Sequence, residues 1–171
     1  MKYWYDTEFI EDGKTIDLIS IGIVAEDGRE FYAISTEFNA KKANQWVKDN
    51  VLSKLPPKNW NEQTSPRLRD EAIAHYRTRD KIKKEMLAFI GNDIPDFWAY
   101  YADYDHVVLC QLFGTMMDLP KGWPMYTNDI KQLCNSLGNP KLPEQGKDEH
   151  NALCDAKWCK EAYDFLLSIA K

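Results

Sequence analysis

Two acids, Asp6 and Glu8, interrupt an otherwise aromatic and apolar run, Tyr3-Trp4-Tyr5-Asp6-Thr7-Glu8-Phe9. In a strand successive side chains alternate faces, so these two carboxylates point the same way, one pleat apart. Held together in apolar surroundings they repel each other and lose hydration, which calls for a cation or a shared proton. A pair of metal ions meets that need. Acids at a solvated strand end have no such need, and D-x-E alone fits either case. Asp105 comes soon after a second apolar run, Phe97-Trp98-Ala99-Tyr100-Tyr101, at the start of a helical pattern. A carboxylate in the first turn of a helix is favoured in its ionised form, as a ligand or as a cap. His150 and Asp155 are five positions apart, about 140° around an ideal helix. Both reach one site only if His150 sits at the helix entrance, where the preceding loop can swing it back over the face that bears Asp155. Taken singly, His150 also fits a solvated residue at a helix start, and Asp155 an exposed acid.

The elements that must position these groups follow from the patterning. The first aromatic run reads as a buried strand. Glu11-Asp12-Gly13-Lys14 is a turn, Ile16 to Val24 a long β-branched strand, and Asp27-Gly28 a hairpin signal before Glu30-Phe31-Tyr32-Ala33-Ile34-Ser35. Three antiparallel strands are therefore predicted at the N-terminus. Asn39 is the predicted cap of a helix carrying Ala43, Trp46, Val47 and Val51, closed by Leu55-Pro56-Pro57. Lys58 to Ser65 reads as loop, and Ser65-Pro66 opens a helix with the weak stripe Leu68, Ala72 and Tyr76. Ile82, Met86, Phe89 and Ile90 form a clearer stripe stopped by Gly91. The basic residues between Arg67 and Lys84 read as a solvated helix face. The run at Phe97 suits a strand buried on both faces, and Val107, Val108, Leu112 and Phe113 predict a helix from about Asp105 to Gly114. Thr127 or Asn128 caps a helix bearing Ile130, Leu133, Cys134 and Leu137, which stops at Gly138. Asn139 to Glu149 is rich in turn formers and charge and is predicted to be the most mobile part. The last helix carries the stripe Ala152, Ala156, Cys159, Tyr163, Leu166 and Leu167.

A chain of 171 residues with 44% hydrophobic content suffices for one sizeable core, and a single domain over residues 1–171 is expected. A formal charge of -5 argues against holding long nucleic acid in a broad basic field. It does not argue against a short strand gripped through metal ions. No run approaches the ~18 apolar residues of a membrane span, and the start lacks a signal-peptide apolar stretch, so a cytoplasmic location is expected. Cys110, Cys134, Cys154 and Cys159 contain no C-x-x-C pair and are expected to be reduced packing residues. A glycosidase reading of Asp6 and Glu8 conflicts with their spacing, because such acids flank a sugar from opposite sides.

The pieces stand in a particular order: D-x-E on the first strand, an Asp after a later strand, and H-x-x-x-x-D at the start of the last helix. In this arrangement the sequence resembles the DEDDh group of 3'-to-5' exonucleases, within the ribonuclease H-like superfamily. Asp6-Thr7-Glu8 resembles the first motif, and Tyr104-Asp105 followed by Val107-Val108-Leu109 resembles the second. His150-Asn151-Ala152-Leu153-Cys154-Asp155-Ala156 resembles the third, H-x-A-L-x-D-A. The resemblance spans nearly the whole chain and is greatest to the small mycobacterial-type 3'-to-5' exoribonucleases, a subgroup with phage relatives. It implies an α/β, RNase H-like fold: a mixed five-stranded sheet with its first three strands antiparallel, flanked by helices. It also implies that Asp6, Glu8, Asp105 and Asp155 bind two Mg²⁺ or Mn²⁺ ions, which activate the attacking water and stabilise the departing 3' oxygen. His150 would be the general base, a role suited to a side-chain type with an unperturbed pKa near ~6.5. The implied substrate is single-stranded RNA or an RNA 3' overhang, and the implied product a nucleoside 5'-monophosphate released from a 3'-hydroxyl end.

Two departures from the motifs touch the terminal nucleotide. Phe9-Ile10-Glu11 stands where Thr-Thr-Gly commonly follows D-x-E, and Tyr101-Ala102-Asp103 where His-Asn often precedes the second motif. Asp103 is thus a rival to Asp105; the spacing of Tyr104 and of Val107 to Leu109 favours Asp105 and leaves Asp103 to cap the helix. Phe9 and Thr7 are candidates for contacting the nucleotide, Phe9 by stacking on the terminal base. Strict alternation puts Phe9 opposite Glu8, where it would be a core residue. Because His150 ends the mobile loop, substrate and metal are expected to order that loop and bring the imidazole in. A DNA exonuclease, distinguished only by contacts to a 2'-hydroxyl, and a non-catalytic nucleotide-binding module of the same fold are the alternatives. Relatives are often homodimers, and Trp46, Trp60, Trp123 and Trp158 outside the central strands would supply aromatic surface for one.

Overall fold

A computed structural model of the chain describes residues 1–59 and 63–170; Trp60 lies outside the described residues. β1 (Lys2–Glu11), β2 (Ile16–Ala25) and β3 (Glu30–Ser35) form the expected antiparallel meander. β5 (Asp96–Ala99) runs parallel to β1 on its other side. Two further strands, β4 (Tyr76–Arg77) beside β3 and β6 (Asn128–Asp129) beside β5, complete a mixed sheet of order β4-β3-β2-β1-β5-β6. Among the described residues the expected five strands are therefore six. Each edge strand is two residues long, too short to print an alternation in the sequence.

Alternation along β1 divides the core. Tyr3 and Tyr5 point into the layer formed with α3 (Arg79–Ile90) and α4 (Asp103–Gln111), among Ile82, Met86, Val108 and Leu109. Trp4 points into the opposite layer, against α5 (Ile130–Ser136) and α6 (Ala152–Ile169), where it meets Ile130, Tyr163 and Leu166. Asp6 and Glu8 share the parity of Trp4, and so does Ile10, which packs with Ile19, Val47 and Val51 beneath α1 (Gln45–Asn50). The two acids thus occupy the gap between two apolar patches on one face of the sheet.

α6 lies across β1 and β2, and its buried Ala152, Ala156, Cys159 and Ala162 are small enough to let it come close. Gly22 completes that approach. It is the cross-strand partner of Asp6, and a β-carbon on it would lie 2.3 Å from the Ala152 carbonyl oxygen and 2.3 Å from the Leu153 nitrogen. Only a residue without a side chain admits the helix backbone against the strand here.

Several helix limits differ from the pattern. Asn39 caps only a 3₁₀ turn, Ala40–Lys42, and Asn44 caps α1 by accepting from the Val47 N–H. α2 (Pro66–His75) starts at its expected Ser65 cap, but Tyr76 leaves the helix for β4. Gly91, with φ 67°, ends α3 as expected. α4 begins ahead of Asp105 with Ala102 at its cap, so Asp103 is its first helical residue, and it closes before Gly114. α5 is capped by Asp129, because Asn128 is drawn into β6 and the Thr127 hydroxyl pairs with that of Tyr5. Of the other tryptophans proposed as dimer surface, Trp123 packs edge-on to Phe97 and Phe113, and Trp158 donates to the Pro143 carbonyl. Trp46 remains exposed.

Candidate active site

Glu8, His150 and Asp155 each bring a ligand atom within 4.8 Å of the other two. They edge a cavity of about 380 Å³ that Asp6, Thr7, Phe9, Trp46, Tyr100 and Gln145 also line. β1 delivers Asp6 and Glu8 from the sheet. Asp105 arrives from α4 on the other side, and its carboxylate accepts from both the backbone N–H (2.8 Å) and the hydroxyl (2.6 Å) of Thr7. Thr7 has the opposite parity to its neighbours and therefore faces α4, so the middle residue of D-x-E ties the acid of the second motif to the first strand. Its hydroxyl, considered above for the nucleotide, is committed to Asp105. Asp103 sits exposed at the start of the same helix, whereas Asp105 is buried.

Asp155 lies in the first turn of α6 and accepts from the His150 N–H at 2.8 Å and from the Gln145 amide at 3.2 Å. Asn151 caps that helix by accepting from Leu153 and Cys154. His150, just before the cap, has φ 66°, a left-handed conformation that costs a non-glycine residue about 1–2 kcal/mol. That turn supplies the reversal which the offset between His150 and Asp155 demands. The expectation that substrate and metal must bring the imidazole in is corrected, since it already stands at Glu8 and Asp155. The Asn139 to Glu149 loop is tied by Lys131 to Asn139 (2.6 Å), by Trp158 to Pro143 (3.0 Å) and by Gln145 to Asp155. These are polar ties that composition does not reveal.

Burial pushes all four carboxyls above their ordinary range. Asp6, half-buried at the cavity, is raised well above that range by desolvation, with the charges of Asp105, Glu8 and Asp155 adding to it. Glu8 is pushed up to about 8 by burial and by Asp155 and Asp105. Asp105 rises to about 7 through burial against the opposing bonds from Thr7, and Asp155 to about 6 through burial against the bond from the His150 N–H. The Lys54 ammonium lowers Glu8 and Asp155. Glu8, Asp155 and His150, two hard carboxylates and an imidazole gathered where negative charge is unfavourable, could hold a divalent metal ion; Asp6 lines the same cavity, whereas Asp105 does not.

Sequence patterning missed four residues here. Trp46 lies with its ring centroid 4.8 Å from that of His150, Lys54 donates to the Glu149 carbonyl, Gln145 bonds to Asp155, and Gly22 admits α6. An isolated glycine inside a β-branched strand was a legible sign of close backbone approach. Although Glu8 faces Ser20 and Phe9 faces Leu18, the extra residue lies in β2, so Phe9 keeps the alternation of β1 and packs on the side of Tyr3 and Tyr5, opposite Glu8, as the core reading expected. It lines the same cavity as Glu8 and also packs edge-on to Tyr104, with centroids 5.7 Å apart.

Among the described residues no helix is long and apolar enough to cross a membrane. Residues 1–167 match the 3'-5' exoribonuclease Rv2179c-like domain. Two Mycobacterium tuberculosis proteins, 3'-5' exoribonuclease Rv2179c of strain ATCC 25618 / H37Rv and 3'-5' exoribonuclease MT2234.1 of strain CDC 1551 / Oshkosh, are similar to the chain. Each is 46% identical to it over 160 residues, spanning 92% of this chain and 88% of the relative. Because the match runs through all three acidic motifs and the sheet that carries them, the chain belongs to the Rv2179c-like 3'-5' exoribonuclease family.

Proposed function

We propose that this protein is a divalent-metal-dependent 3'-to-5' exoribonuclease that shortens single-stranded RNA or an RNA 3' overhang and releases nucleoside 5'-monophosphates. The meeting of Glu8, His150 and Asp155 within 4.8 Å carries this reading, and the names of the two relatives support RNA as the substrate. Asp6, Glu8, Asp105 and Asp155 would hold two Mg²⁺ or Mn²⁺ ions. When bound, such ions lower the pKa of water and stabilise charge on phosphoryl oxygens. His150 takes a proton from the attacking water, whose oxygen bonds to phosphorus as the bond to the 3' oxygen breaks. The departing 3' oxygen acquires its proton from solvent. The Thr7 bonds keep Asp105 oriented, and the Asp155 bond to the His150 N–H fixes that histidine's backbone over the acids. Phe9, which lines the cavity and packs on Tyr104, would stack on the terminal base whatever its identity.

A cytoplasmic location is our reading of four unpaired cysteines. A homodimer is expected from the family kinship, and elution near the monomer mass of 19.9 kDa would remove it. The decisive experiment digests 5'-labelled single-stranded RNA and matched DNA with Mg²⁺, Mn²⁺ or EDTA, beside Asp6→Ala and His150→Ala. A metal-dependent ladder shortening RNA from its 3' end, lost in both variants, is expected. Preference for DNA would reassign the sugar, and binding of mononucleotide without cleavage would make the protein a non-catalytic module.

A further inference from the structure

We infer that Trp46 and Lys54, neither of them part of the acidic cluster, are positioning residues that together clamp His150 in the orientation a general base needs. The inference rests on the catalytic reading of His150 given above. A histidine base is ordinarily oriented by a hydrogen bond to one ring nitrogen, which leaves the other free to take a proton. Among the described residues no such bond holds the His150 ring. Its backbone is fixed downstream, by the N–H donated to Asp155 and by Asn151 capping α6. The ring itself meets the indole of Trp46 edge-to-face, with centroids 4.8 Å apart and planes at 75°. Just upstream, the Lys54 ammonium holds the Glu149 carbonyl. Contacts on both sides of a left-handed histidine are what such a backbone needs in order to persist.

Trp46 and Lys54 belong to one rigid segment. α1 is capped by Asn44, runs on into the 3₁₀ turn Leu52–Lys54, and is pinned to the sheet by Val47 and Val51 against Ile10 and Ile19. Trp46 is nonetheless 54% exposed. Core packing therefore does not account for a tryptophan at that position, whereas contact with the imidazole does. Lys54 adds a second effect, because its charge also draws down Glu8 and Asp155.

The test has a spectroscopic and a kinetic arm. The chain has three histidines, so the imidazole proton spectrum is simple, and His150→Ala identifies the His150 signal. Trp46→Leu is expected to shift that signal and leave those of His75 and His106 in place. It is expected to lower kcat roughly tenfold to a hundredfold at unchanged KM and unchanged thermal midpoint, with Trp46→Phe recovering most of the loss. Lys54→Met is expected to move the same signal. Combined with His150→Ala, Trp46→Leu should add no further loss. An unmoved His150 signal overturns the inference, as does a raised KM with kcat preserved, which would make Trp46 a base-stacking residue instead. Should His150→Ala itself retain full turnover, the catalytic reading fails, while the spectrum still reports whether Trp46 holds the ring.

Discussion

Replacing Gly22 by alanine tests whether the approach of α6 to the sheet sets the distance between the two halves of the site. The added β-carbon would lie 2.3 Å from the Ala152 carbonyl oxygen and 2.3 Å from the Leu153 nitrogen, and real contacts begin at 3.0 to 3.4 Å. The helix start must therefore retreat by about 1 Å, and because both neighbours are backbone atoms, no rotamer change relieves the clash. The same turn carries Asp155 and follows directly on His150, so both move away from Asp6 and Glu8 on β1. Overpacking of this kind costs about 1–3 kcal/mol, and a ~1 Å misplacement at a reacting centre costs about a hundredfold in rate. The assay pairs urea denaturation with turnover of a short 5'-labelled RNA at saturating Mn²⁺. Gly22→Ala should keep native-like circular dichroism, unfold at lower urea, and lose roughly a hundredfold in kcat. Gly146→Ala is the control, since nothing lies within 4 Å of a β-carbon there and its φ is not positive. Turnover and stability of Gly22→Ala indistinguishable from those of the parent would refute the idea that this glycine spaces the site.

Three further outcomes are expected. Thr7→Val removes the 2.6 Å bond to Asp105, so that carboxyl should rise further and the metal concentration for half-maximal activity should increase by about tenfold; Thr7→Ser should restore it, and an unchanged metal titration would show that the bond does not orient a ligand. In EDTA, stability should fall as pH rises from ~4 to about 8. Glu8, Asp105 and Asp155 titrate near 8, 7 and 6 in the fold, above their unfolded values, so the native state binds more protons across that window. Saturating Mg²⁺ should flatten the slope, and a chelated protein equally stable at both ends would contradict the repulsion described. Phe9→Ala should cost some stability, because Phe9 packs on the core and on Tyr104, and also raise KM for RNA, while a loss of stability with KM unchanged would leave Phe9 a core residue only.

Alternation made the faces of β1 legible, and with them the shared direction of Asp6 and Glu8. Where a device depended on a partner element, the sequence was silent. β4 and β6 exist only because β3 and β5 offer edges to pair with, and two residues carry no period of their own. Asn39 and Asn44 are both competent caps, and the choice of Asn44 for α1 is made by the burial of Val47 and Val51. The extra residue in β2 sets Leu18 with Ile21 and Ile23 and turns Ile19 to the opposite face, which nothing in that β-branched run marks. The inward His150 rests on a left-handed backbone at a residue type that does not announce one, stabilised by a tryptophan roughly a hundred positions earlier in the chain.

The central place of β1 explains how so short a motif serves the whole site. Its pairing with β2 on one edge and β5 on the other buries it between two helical layers, so side chains of both parities meet protein. Even-numbered Asp6 and Glu8 face α6 and α1, while odd-numbered Thr7 faces α4 and holds Asp105. An edge strand would expose one of these connections to water and weaken it. The cost of the arrangement is four carboxyls in surroundings that favour their neutral forms, opposed at Glu8 and Asp155 by the Lys54 charge and at Asp105 by the Thr7 bonds. A divalent cation bound at Glu8 and Asp155 would reverse that preference there, so metal affinity and fold stability should rise and fall together in a variant that moves either acid.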